Sequence, residues 1–94
     1  MINLPQLSSD TACAVHRASS AITSEIHYAA GQLFLVSMES DPVPVELSHA
    51  SALRLLAQWG GTNALVDAEP GTRAELGVAL LKSSLRLLAE IDHF

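Results

Sequence analysis

This sequence is short of charge. Asp, Glu, Lys and Arg make up only 16% of its 94 residues, while 49% are hydrophobic; soluble domains average about 25% charged. A monomer of this size has too few charges to cover its surface, so burial between chains is expected. Lys82 is the only lysine, the four arginines are scattered, and the net charge is −5. Binding to nucleic acid or an anionic membrane needs clustered Lys and Arg, so neither partner is expected. Cysteine is nearly absent too: Cys13 stands alone and has no internal disulfide partner. No apolar run approaches the roughly 20 residues that span a bilayer. The stretch MINLPQLSSD has neither the basic nor the continuous apolar region of a secretion signal, and a cytoplasmic protein is the expectation.

Chemistry-bearing motifs are equally scarce. His16, His27, His49 and His93 form no HxxxH or HxH pair, and Cys13, three residues before His16, has no second cysteine to complete a zinc spacing. There is no G-x-S-x-G elbow, and GGT follows a helix whereas phosphate cradles precede one. The carboxylate pairs Asp67/Glu69 and Glu90/Asp92 sit in loop and helix-end settings typical of solvated charge. No catalytic residue, metal or cofactor is therefore assigned. A small enzyme, if there is one, would use His16, His27 or His49.

What is present is apolar patterning. Residues 1–9 show no period and read as a flexible arm; residues 10–94 read as one α+β interaction domain. Residues 10–20 suit a short, weak helix capped by Asp10. Residues 23–28 and 32–38 alternate like strands around AAG and predict a small hairpin. In DPVPV, Asp41 is placed as a cap and Pro42 or Pro44 in the first turn of a helix that runs to about Trp59, where Gly60 or Gly61 stops it. Ala64, Leu65 and Val66 then tuck onto the core. Thr72 and Glu75 make the capping-box spacing of a second helix that continues close to the C-terminus.

Both helices have too much apolar surface for one chain to absorb. On the first, Leu47, Ala50, Ala52, Leu53, Leu55, Leu56, Ala57 and Trp59 span about 220°, twice what one core-facing stripe needs. Its surplus face is expected to bind a partner through Leu53, Leu56 and Trp59, with His49 and Arg54 adding directional contacts. On the second, Leu76, Leu80, Leu87 and Ile91 form one row and Val78, Leu81, Leu85 and Leu88 another, with Gly77 and Ser84 as a shallow seam between them. A homodimer is expected through Leu76, Gly77, Leu80, Ser84, Leu87 and Ile91. The fold expected is a small β-hairpin packed on two amphipathic helices that associate through their faces.

The order LFLV, then DPVPVELSHASALRLL, then a second amphipathic helix ending LRLLAEID resembles a family of small bacterial domains of uncharacterised function, the QslA-type family. The matching positions are residues 33–36, Pro42, Leu47, Ala50, Ser51, Leu53 and residues 85–91, within a resemblance covering 26–92. Where family members begin the helix with a glycine-led turn, this chain has Ser40 and Asp41. The resemblance implies a quorum-sensing antiactivator: a negative regulator that binds the ligand-binding domain of a LuxR-type (LasR-like) transcription activator and breaks its dimer, so that the activator cannot bind DNA. The reading from another class is a small homodimeric adaptor, chaperone-like, that caps apolar segments of another protein.

Overall fold

The computed structural model describes residues 11–39 and 43–91. The arm over residues 1–9, the Asp10 and Asp41 caps, Pro42 and His93 lie outside them. Four strands, β1 (Ala12–Ala18), β2 (Ala21–Ala29), β3 (Gln32–Ser37) and β4 (Val45–Leu47), form one antiparallel sheet in sequence order. Helix α1 (His49–Gln58), a 3-10 turn (Gly61–Ala64) and helix α2 (Arg73–Ile91) follow.

The predicted hairpin is β2–β3, paired from Ser24↔Ser37 to Ala29↔Gln32. Its two-residue turn is Ala30 and Gly31, at φ 52° and 79°. Two successive positive φ values match the twist of the flanking strands, which is why such tight hairpins use them. Glycine adopts this conformation freely, whereas Ala30 holds it against a steric penalty.

Two expectations are corrected. Residues 11–20 do not make a helix: Ala12–Ala18 is a strand that turns through Ser19 and Ser20 into β2, with register shifts between Ala12 and Ala14 and between His16 and Arg17. Alanine favours helices, but pairing with a nine-residue neighbour outweighs so weak a local preference. Nor does α1 begin among the prolines. Val45, Glu46 and Leu47 pair with Leu35, Phe34 and Leu33, and the helix opens only after Ser48, whose hydroxyl accepts from Ser51 N–H at 3.1 Å. Two hydroxyl-bearing residues at helix-cap spacing supplied a better start than Pro44, which precedes a strand.

The stop and the second helix follow expectation. Gly60 and Gly61 take φ 111° and 64° after Trp59. Ala64 is buried, Leu65 bridges to Ala14, and Val66 N–H donates to Cys13 O, so this segment lines the outer side of β1. At α2, Glu75 N–H donates to the Thr72 hydroxyl and the Glu75 carboxylate accepts from Gly71 N–H. The reciprocal cap thus reaches one residue further back than the usual box.

Sheet and helices meet in a core of Cys13, Ala14, Ile26, Leu33, Ala52, Leu53, Leu56, Ala64, Val78 and Leu81. Helix α2 lies on β1 and β2, and α1 on β3 and β4. On the alternate positions of the strands, Ala29, Phe34 and Val36 are buried as well. No helix among the described residues is long and apolar enough to cross a membrane.

Two local tests follow. Thr72→Ala removes the acceptor for Glu75 N–H and is expected to cost about 1 kcal/mol in urea unfolding. Ala30→Asn, better suited to a left-handed turn, is expected to raise stability by about 0.5–1 kcal/mol in the same assay.

Candidate interaction surface

Helix α2 has nineteen residues, a length of about 28 Å. Ala74, Gly77, Val78 and Leu81 are buried, and Leu85 packs partly against the core. These residues sit three or four apart, so they define one inward stripe. The row containing Val78, Leu81 and Leu85 is therefore the intramolecular one, with Leu88 at its edge. The other row points away from the sheet: Leu76, Leu80, Leu87 and Ile91 are 60%, 42%, 60% and 61% exposed. Four large apolar side chains on one side of one helix form a stripe that nothing among the described residues covers.

Gly77, expected in a seam between chains, instead faces the sheet. A Cβ there would come 2.6 Å from Tyr28 Cβ and 3.1 Å from Cys13 Cβ and Sγ. These neighbours are anchored to strand backbone, so the missing side chain is what lets α2 approach β1 and β2. Ser84 is likewise engaged within the chain. Its hydroxyl donates to Leu80 O at 2.9 Å, and its oxygen lies 2.8 Å from His49 Nε2. With the hydroxyl proton given to Leu80, the imidazole N–H donates to Ser84. His49 thereby ties the start of α1 to the middle of α2.

The residues assigned to partner binding on α1 are not brought together on a surface. Leu56 is fully buried and Leu53 is 8% exposed, both within the core. They are corrected from contact residues to core residues, because α1 turns its Ala52, Leu53 and Leu56 stripe onto β3 and β4. Trp59 and Leu55 pack partly against the same core, and the indole stacks on His16 with ring centroids 5.3 Å apart. The wide apolar arc is thus largely filled from inside: helix and strand flank it on two sides. Ala50, Arg54 and Ala57 remain exposed.

The strand alternation also assembles a polar string that spacing did not flag. Thr11 Oγ1 lies 3.0 Å from His27 Nδ1, and His27 Nε2 lies 2.8 Å from Glu25 Oε1. Glu25 and His27 are two apart in β2 and so share a face, the one signal that sequence offers for the pair. The order hydroxyl, imidazole, carboxylate has the components of a proton relay. However, the imidazole is buried with both ring nitrogens engaged, which suits a satisfied internal histidine. His16 Nδ1 is bonded to Thr23 Oγ1 at 3.1 Å, so His16, His27 and His49 each have separate local partners. Among the described residues no group of three His, Cys, Asp or Glu side chains is placed to hold a metal ion.

Cys13 is fully buried and its thiol donates to Ile26 O at 3.3 Å. Desolvation pushes its pKa from the ordinary 9.0 to about 12, against a smaller lowering by a backbone hydrogen bond. The folded chain holds this proton more tightly than the unfolded chain. Its contribution to stability is complete below pH 9.0 and is lost as the pH rises toward about 12.

No protein-family model, no curated protein and no solved structure matches this chain.

Gly77→Ala should remove about 1–3 kcal/mol by overpacking, more than the roughly 1 kcal/mol that alanine gains in helix propensity. A net stabilisation in urea unfolding would show that α2 does not sit this close to the sheet. Cys13 is expected to resist a water-soluble disulfide reagent at pH 8 in the native protein and to react at once in denaturant.

Proposed function

We propose that the protein is a non-enzymatic negative regulator of quorum sensing that acts in the cytoplasm by protein–protein association. In this reading the outward face of α2 binds the ligand-binding domain of a LuxR-type activator and takes the place of the activator's second subunit, so that the activator no longer binds DNA. The observation that carries it is the exposed row Leu76, Leu80, Leu87 and Ile91. An apolar stripe on a regular helix is a common form of recognition surface, in which a few anchors supply most of the affinity. Two further features support it: the low charge content, which suits apolar docking, and the resemblance carried by LFLV, DPVPVELSHASALRLL and LRLLAEID, which supplies the target.

Leu53 and Leu56 sit in the core, so this reading takes its anchors from α2, with Arg54 an exposed charge on the neighbouring helix. A homodimer through the same α2 face competes with target binding: a face closed by a second copy is not open to the activator.

The test is light scattering after size exclusion on the protein mixed with an autoinducer-loaded LuxR-type ligand-binding domain. A complex with a single activator subunit is expected, and Leu80→Arg should abolish it while the circular dichroism stays unchanged. An activator that elutes as its own dimer, unmixed, contradicts the proposal. Equal binding to an unfolded reduced protein would replace it with the adaptor reading.

A further inference from the structure

One row of α2 carries opposite charges at its two ends with leucines between them. Arg73, Leu76, Leu80, Ser83, Leu87 and Glu90 follow one another at intervals of three, four, three, four and three residues. This is the spacing of the two seam positions of a coiled coil, and all six side chains are exposed. The spacing reads the same in either direction, with charges at the ends, Leu76 and Leu87 inside them, and Leu80 and Ser83 at the centre. What differs is the sign at the ends, a cation at the first turn and an anion at the last. The inward stripe of Ala74, Gly77, Val78 and Leu81 lies on the far side of the helix, so the seam is free of the chain's own core.

We propose that a second copy of this chain covers the row, with the two α2 helices antiparallel about a twofold axis that passes between Leu80 and Ser83. This rests on the reading of α2 as the association face and specifies its occupant and register.

In an antiparallel pair the two kinds of seam position face each other. Leu76 then meets Leu87 of the second copy, and Leu80 meets Ser83, a small side chain that lets the axes approach. Arg73 lies opposite Glu90 of the second copy, and the twofold makes this pair twice. Within one chain neither residue has an ion-pair partner among the described residues. A parallel pair would instead set Arg73 against Arg73 and Glu90 against Glu90, so charge selects the antiparallel orientation. The leucines supply the affinity. The exposed ion pairs supply little of it and chiefly fix direction.

The test is sedimentation equilibrium of the full chain, without any activator, from about 1 µM to about 1 mM, a range chosen because one helix pair is a small interface. The native chain should form a reversible dimer. Leu80→Glu should be monomeric throughout with its helical circular dichroism intact. Arg73→Glu and Glu90→Arg should each weaken the dimer by roughly 2- to 30-fold, and Arg73→Glu combined with Glu90→Arg should recover it to within about threefold, since the pair is remade with its signs exchanged. A native chain that stays monomeric overturns the proposal, as does a dimer insensitive to Leu80→Glu. A double variant as weak as the single ones overturns the antiparallel register. A dimer of this design that ignores the activator would remove the proposed target and leave the self-pairing in place.

Discussion

The close approach of α2 to the first two strands is the constraint on which the rest of the molecule depends. It exists because residue 77 has no side chain where Tyr28 and Cys13 come nearest. That contact sets the rotation of the helix about its own axis. With Gly77 against the sheet, Val78 and Leu81 enter the core and Leu76, Leu80 and Leu87 must point outward. A helix of this composition carries apolar side chains on most of its circumference, so propensity alone would allow several rotations. The glycine admits one of them.

The other elements support this placement. Helix α1 fills the space over β3 and β4 with Ala52, Leu53 and Leu56, and His49 reaches across to Ser84 at the middle of α2. The segment after α1 closes the outer side of β1 through Leu65 and Val66. Cys13, between sheet and helix, is held as a neutral thiol by the same desolvation that excludes water from the contact. What remains exposed on α2 is one long apolar stripe, and in a chain with 16% charged residues such a stripe suits the proposed association.

Much of this was legible in the residues. The AAG hairpin, the glycine stop after Trp59 and the Thr72/Glu75 cap are local signals, each needing only a few neighbouring side chains, and each is present. The α+β class followed from them. The first strand was not legible: ACAVHRA has the alanines of a helix, and only its pairing with β2 makes it extended. Nor was β4, since Val45, Glu46 and Leu47 fit the helical wheel of the segment that follows them. The error on α1 came from the same source. An apolar arc wider than one stripe signals an outside partner only if nothing else in the chain covers it. Here Trp59 stacks on His16, from a segment read as helix, and Leu56 is enclosed. On α2 the two rows were visible, but which one faced inward depended on Gly77 meeting a strand that sequence had not placed.

The outward α2 face is proposed to associate with a second helix. An isotope-filtered nuclear Overhauser experiment tests it most directly, on a concentrated mixture of chains labelled with ¹³C at leucine and unlabelled chains. Contacts between chains are expected from the Leu76 methyls to those of Leu87, with none involving Leu56. Contacts between chains confined to β4, or none from α2 at all, would contradict it.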